Sequence, residues 1–146
     1  MNRILSKFSL VIASTLITAG VWAQSPAVKA TIPFDFTVNN TTVPAGTYTV
    51  SEESMTGNIL KFSAGSQHVD MLAAVLPTEA KTKGRDVLVF HKYGDHYFLR
   101  EIRCQSCAMN SYLPESKAER WQRIQAQDSV AKIAPPSATD VLIALR

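Results

Sequence analysis

The alternation of apolar and polar residues over positions 28–38 constrains the fold more than any other feature of the sequence. An extended strand places such a set on one face, whereas a helix does not. We therefore predict a half-buried β-strand. Its Pro33 has no backbone N–H to donate, which predicts a sheet edge or a bulge at that point. The apolar positions are Val28, Ala30, Ile32, Phe34, Phe36 and Val38.

Two turns are predicted directly after this strand. Asn39-Asn40 tolerates positive φ angles and favours a tight turn between antiparallel strands. Pro44 presets its φ angle and Gly46 suits the exit of a second turn. Tyr48 then returns to the inward face. We expect this part of the chain to form a folded-over β unit.

Strand patterns continue to residue 104. Residues 58–77 predict two strands joined around Gly65-Ser66, and the second, over 69–76, is apolar on both faces apart from Asp70, as in a central strand. A charged loop covers 78–85. Residues 86–104 predict a hairpin that turns near Tyr93-Gly94-Asp95.

The pattern changes to a helix over residues 116–127. Ser116 followed by Glu119 fits a capping box, and Glu119 with Arg123 fits an ion pair across one helical turn. A weak apolar stripe is predicted to face the core; it comprises Ala118, Trp121 and Ile124.

A Pro-rich break and a last short strand are predicted in the C-terminal tail, residues 134–146. The fold class is therefore mainly β, a small antiparallel β-sandwich or barrel with one C-terminal α-helix. Residues 24–146 are enough for a single β-rich domain and too few for two.

The N-terminus has the features of a secretory signal peptide over residues 1–23. Arg3 and Lys7 precede an uncharged apolar run over 8–20, and small residues stand before a cut between Ala23 and Gln24. A membrane anchor is the rival interpretation, but the run is shorter than the roughly 20 residues of a spanning helix. We expect an exported protein, periplasmic or extracellular, with no transmembrane anchor after cleavage.

The charge balance disfavours nucleic-acid binding. The whole chain carries a formal net charge of +3. Removal of the signal takes away two cations and leaves 13 basic against 12 acidic residues. No basic stripe remains that could follow a phosphate backbone.

Cys104 and Cys107 form the only motif of the CxxC type. A thioredoxin-type site needs such a motif at the start of a helix after a strand, and a zinc site needs two more ligands. Here the pair ends a hairpin strand. In an exported chain it predicts a short-loop disulfide; two free thiols, or a redox or metal role, are the alternatives.

Aromatic and histidine residues gather around the predicted hairpin turn. His91 and His96 face each other if residues 93–94 form the two-residue loop, and do not if residues 94–95 form it. We predict neither a metal site nor a cofactor there. Because aromatic turn residues often anchor recognition, we predict a contact surface at this point. It comprises His91, Tyr93, His96 and Tyr97.

Three segments resemble an uncharacterised family of small exported proteins of soil-type bacteria. The segments are IPFDF with PAGTYTV, FHKYGDHYFL, and LPESKAER, and together they lie within residues 28–124. The resemblance implies an exported β protein and no particular activity. The CxxC does not belong to the shared pattern.

The expected function is that of a non-enzymatic envelope or extracellular β module, acting by binding or as a structural part of the cell surface. No catalytic nucleophile elbow, HExxH, phosphate-binding loop or carboxylate pair is found. The partner is unknown; a cell-envelope component or another protein fits. The alternatives are a lipocalin-like carrier, with a ligand against the 28–38 face, and a periplasmic redox protein using the CxxC.

Overall fold

The computed structural model describes residues 26–65, 69–79, 84–130 and 138–146, with the backbone alone for residues 69 and 128–130. The predicted signal peptide, Ser66 of the predicted Gly65-Ser66 turn, part of the predicted charged loop and most of the Pro-rich break lie outside these residues. The described strands are β1 (Ala27–Ile32), β2 (Phe36–Val38), β3 (Thr41–Val43), β4 (Gly46–Glu52), β5 (Ile59–Ala64), β6 (Val69–Ala74), β7 (Leu76–Pro77), β8 (Val87–Tyr93), β9 (His96–Cys104), β10 (Met109–Tyr112) and β11 (Thr139–Ala144), with helix α1 (Lys117–Val130) before β11.

Two sheets enclose one core, which confirms the predicted fold class. One has the strand order β1-β4-β5-β6, and the other β11-β8-β9-β10-β7. All of these pairs are antiparallel; the short hairpin of β2 and β3 joins the second sheet through a parallel contact of Thr37 with Phe98. The sheets are also joined at their sides. Lys29 and Arg146 exchange backbone hydrogen bonds of 2.8 and 2.9 Å, and the chain passes from β6 in one sheet to β7 in the other.

The core is filled by the alternating side chains that the sequence predicts. In β1 the inward residues are buried and their neighbours exposed. Phe36 makes edge contacts with the rings of Tyr48 and Phe90, with centroids 5.7 and 5.4 Å apart. The largest fully buried side chains are Tyr48, Phe36, Phe62, Phe90, Ile32, Leu60, Leu88, Ile102, Leu113, Val38, Val43 and Val50.

The predicted turns at Asn39-Asn40, at Pro44 and in the β8–β9 hairpin are confirmed. Asn39 and Asn40 have φ angles of 47° and 73°, the pattern of a type I′ turn between β2 and β3. The turn at Pro44 is held by Tyr48, whose hydroxyl donates to the Pro44 carbonyl at 2.6 Å. The β8–β9 hairpin closes with Gly94-Asp95, and Gly94 has a φ of 58°.

The central position predicted for residues 69–76 is wrong. The strand ends at Ala74, and β6 is the last strand of its sheet. Leu72 is 60% exposed on its outer face. The apolar run breaks because Leu76 already belongs to β7, in the other sheet.

Helix α1 is found where predicted, with a different orientation. The Glu119 N–H donates to the Ser116 hydroxyl at 3.1 Å, as a capping residue requires. The predicted apolar stripe does not face the core, because Trp121 is 66% exposed while Glu119 is 2% exposed. The predicted pair of Glu119 with Arg123 is also absent, since the Arg123 side chain donates to Glu115 at 2.8 Å. No described helix is both long and apolar enough to cross a bilayer.

Candidate functional site

A β-bulge in β9 turns an arginine toward the helix. Val89 pairs with Glu101 and the next residue, Phe90, pairs with Leu99, so Arg100 is an extra residue without a cross-strand partner. Bulges re-aim side chains in this way. Leu99 joins the core, whereas the Arg100 side chain contacts α1 on the outer face of the sheet.

Arg100, Glu119 and His91 form a charged cluster between α1 and the sheet. The Arg100 Nη1 donates to Glu119 Oε2 at 3.3 Å, and His91 Nδ1 hydrogen-bonds Glu119 Oε1 at 3.1 Å. The exposed fractions of the Arg100 and Glu119 side chains are 10% and 3%. On its other side, His91 Nε2 lies 3.6 Å from Asp140 Oδ1 in β11. The cluster therefore ties α1 to β8, β9 and β11.

The Arg100 side chain also contacts Tyr112 at the end of β10. The Arg100 Nη2 donates to the Tyr112 hydroxyl, and the guanidinium carbon lies 4.7 Å from the centre of the Tyr112 ring. Arg100 Nε is buried without a hydrogen-bond partner among the described residues. A guanidinium in such surroundings is held by several elements at once.

Burial and neighbouring charges perturb the acids of the cluster. Burial raises the pKa of Glu119, against the opposing charges of Arg100 and His91. Burial, and then the negative charge of Glu119, raises the pKa of Tyr93. Glu115 behaves in the opposite way, because the hydrogen bond from Arg123 lowers its pKa.

The cluster determines which face of α1 is buried. A buried carboxylate beside a histidine can in principle transfer a proton, but here both partners of Glu119 fasten the helix. The inward positions of α1 after Glu119 are the half-buried Gln122, Arg123 and Ala126. The helix is thus held by polar contacts and leaves its large apolar side chains outside.

The structure divides the four predicted contact residues between the two faces of the hairpin. His91 and Tyr93 lie on the α1 side, where Tyr93 is 7% exposed. Tyr97 lies on the other face, and His96 is exposed beside the turn. The loop is formed by Gly94-Asp95, so His91 pairs with Phe98 and the two histidines do not face each other.

A second aromatic group surrounds Tyr97 at the end of the hairpin. The rings of Phe34 and Tyr97 stack with centroids 3.8 Å apart, and the Lys92 ammonium lies 5.3 Å from the Tyr97 centroid. Both rings are half-buried, which leaves part of each accessible. We call Phe34, Lys92, His96 and Tyr97 the hairpin end.

The contact between Arg100 and Glu119 was not predicted from the sequence. One feature of the sequence did indicate the bulge at Arg100. Phe98 and Leu99 are adjacent apolar residues in an otherwise alternating strand, which is what a bulge produces. Nothing in the sequence indicated that Arg100 would meet Glu119.

The disulfide occupies the turn between β9 and β10. Cys104 is fully buried and bonded to Cys107. Asp86 holds this turn from outside, because its carboxylate accepts the Gln105 N–H at 2.8 Å and the Ser106 hydroxyl. These hydrogen bonds lower the pKa of Asp86.

Among the described residues, the structure offers a surface groove rather than the internal cavity that a carrier would need. The inward side chains of residues 28–38 that were expected to line a cavity pack within the core cluster. A surface groove of about 370 Å³ lies on the outer face of the second sheet, with Val87, Glu101, Arg103 and Leu142 among its lining residues. In the described part of the chain, no three His, Cys, Asp or Glu residues are placed to bind one metal ion.

Comparison with protein-family models, with curated proteins and with solved structures finds no match for this chain. What the site can do is therefore inferred from its own geometry.

Proposed function

We propose that this protein is an exported, non-enzymatic β module that acts by binding a partner or as a structural part of the cell surface. The main support is that the charged cluster of His91, Arg100 and Glu119 holds α1 in place. His91 and Glu119 are the side chains that could act as an acid or a base. Their hydrogen bonds instead fix α1 to the sheet. The resemblance to small exported bacterial proteins supports the same conclusion.

The hairpin end is the contact site we propose. Its aromatic rings are fixed by stacking and by a nearby cation, so little conformational entropy is lost when a partner binds. His96 and Tyr97 make the contact in this proposal. His91 and Tyr93 support the hairpin from the α1 side, where the Tyr93 ring packs against Phe98 with centroids 6.1 Å apart.

The partner class is a protein or another component of the cell envelope. Tyrosine and histidine at a rigid loop end are suited to recognition, since they supply contact area at low entropic cost. The near-neutral charge expected after signal removal disfavours nucleic acid. No transmembrane anchor is expected after cleavage.

Site-specific photo-crosslinking in the native host tests this function. A photoreactive phenylalanine analogue is placed at His96, and a control is placed at the fully exposed Met55, which lies beside Pro77 and Met109 near the disulfide turn. We expect one or a few discrete adducts from position 96 and none of the same mass from position 55. Equal adduct patterns from both positions would reject the hairpin end as the contact site.

The redox alternative is separated from this proposal by intact mass measured with and without reduction before alkylation. A structural disulfide leaves Cys104 and Cys107 unalkylated until a reductant is added. The same spectrum reads the N-terminus, and a chain beginning at Gln24 supports export. Rapid alkylation near neutral pH without reductant would favour the redox protein instead.

A further inference from the structure

Helix α1 exposes its largest apolar side chains. Trp121 is 66% exposed and Ile124 is 37% exposed, although a buried carboxylate occupies the face turned to the sheet. Large apolar groups left in solvent on an ordered element commonly mark an interaction surface. The cost of exposing Trp121 is then recovered when a partner covers it.

Four residues form one stripe along this helix. Lys117, Trp121, Ile124 and Asp128 are spaced at i, i+4, i+7 and i+11, so the helical backbone places these four positions on one side. The stripe has a cation at its first turn, two apolar residues in the middle and an anion near its end. We call it the α1 stripe.

We propose that the α1 stripe packs against the α1 stripe of a second copy of this chain, with the two helices antiparallel. A two-fold axis passing between residues 122 and 123 places Trp121 against Ile124 of the second copy. The same axis brings helix position 117, a lysine, opposite position 128 of the second copy, an aspartate. One register therefore matches both the apolar and the charged positions.

A second copy fits this surface because the stripe is complementary to itself. An isologous two-fold contact requires each residue to meet its counterpart in both directions, and the sequence of the stripe satisfies this. Antiparallel helices also bring the positive N-terminal end of each dipole near the negative end of the other. The last turn of α1 carries no basic residue that would oppose Lys117 of the second copy.

Sedimentation equilibrium over a range of concentrations tests the proposal, with the chain recovered from its native host and its N-terminus read by mass. We expect a concentration-dependent monomer–dimer equilibrium. Lys117→Glu or Asp128→Lys alone should weaken the association constant about tenfold, because each reversal changes two symmetric ion pairs. The double variant K117E/D128K should restore it to within about threefold, since the pairs form again with exchanged signs.

The two reversals cannot act by melting the helix. An acidic residue at the first turn and a basic residue at the last turn both favour the helix dipole, so helicity measured by circular dichroism should be kept or increased. Trp121→Ala should weaken association at least about tenfold. Two controls lie outside the stripe: Lys29→Glu, at an exposed lysine, and Leu142→Ala, at a leucine that is 57% exposed; both should change it less than about twofold.

Three results would overturn the proposal. The first is a monomer at every concentration reached. The second is a dimer that responds equally to the α1 stripe variants and to the controls. The third is a double reversal that associates no better than either single one. Photo-crosslinking at His96 would remain a separate test of the proposed function in all three cases.

Discussion

Glu115, just before α1, and Glu119, in its first turn, have pKa values shifted in opposite directions from the ordinary value. Glu119 is enclosed between α1 and the sheet, so burial raises its pKa against the opposing effects of Arg100 and His91. Glu115 remains near the surface, where Arg123 stabilises its charged form and lowers the pKa. The two residues share a side-chain type and lie four positions apart, one before α1 and one in its first turn, which makes each a control for the other.

Truncation of these two residues should have unequal effects on stability. Glu119→Ala leaves the buried Arg100 without its carboxylate acceptor, so we expect the free energy of unfolding to fall by about 3 kcal/mol. Glu115→Ala removes partly exposed ion pairs and should cost less than about 1 kcal/mol. Urea unfolding at neutral pH measures both. Equal losses would show that the charged cluster does not hold α1.

The contributions of Glu119 and Glu115 to stability should change with pH in opposite directions. A raised folded-state pKa means that the contribution of Glu119 is largest below the ordinary value of 4.5 and is lost as the pH rises through the raised value. The lowered pKa of Glu115 gives a contribution that is present above 4.5 and lost as the pH falls through the lowered value.

Unfolding measured from acid to neutral pH checks these signs with Gln variants, which keep the side-chain shape. Relative to Glu119→Gln, the wild type should lose stability as the pH rises. Relative to Glu115→Gln, it should gain stability over the same change. If the first difference also grew with pH, Arg100 and His91 would dominate over burial at Glu119.

At the scale of elements, the β2–β3 turn is coupled to α1 through Asn40. Its side-chain oxygen accepts the Ala118 N–H at 3.2 Å, one of the free donors at the start of the helix. The neighbouring Asn39 side chain donates to the Ala74 carbonyl at 3.1 Å. These two adjacent residues thus adopt the left-handed backbone of the turn, and their side chains also bind β6 and α1.

Substitutions of Asn40 should separate these two roles. Asn40→Ala loses the helix contact and strains the positive φ angle, so the free energy of unfolding should fall by about 2 kcal/mol. Asn40→Gly loses the contact but relieves the backbone, and should cost less than about 1 kcal/mol. Thermal or urea unfolding gives both values. An Ala variant as stable as the Gly variant would mean that the left-handed conformation carries no penalty here.

Most strands were predictable because their alternation and turn residues are local properties. The single strand predicted over 28–38 is wrong, since the chain breaks after Ile32 and resumes at Phe36 in the other sheet. The period-two pattern of β1, the Asn39-Asn40 turn and the β8–β9 hairpin all follow from neighbouring residues. The orientation of α1 was not predictable. Its stripe around Trp121 is the natural inward face of an isolated helix, and the partners that bury the Glu119 face instead, Arg100 at the bulge and His91, lie in other elements.

At the scale of the whole molecule, the disulfide should contribute little to stability. It closes a loop with a sequence separation of only 3, and the entropy removed from the unfolded chain grows with loop length. We expect reduction to lower the free energy of unfolding by about 2 kcal/mol or less. Asp86 also holds the turn independently of the sulfur atoms.

Urea unfolding with and without a thiol reductant measures this contribution, with Cys107→Ser as a genetic equivalent. Asp86→Ala combined with reduction should cost more than either change alone, because the turn then loses both constraints. A fully unfolded protein after reduction alone would show that the core depends on this bond.

The backbone hydrogen bonds between Lys29 and Arg146 constrain the order of folding. β1 leaves the ribosome early, and its free edge stays unpaired until the segment that contains β11 has been synthesised. Contacts so distant in sequence form slowly, since the intervening chain must first be ordered. The seam between the two sheets can therefore close only late, after the strands that lie between β1 and β11 along the chain are in place.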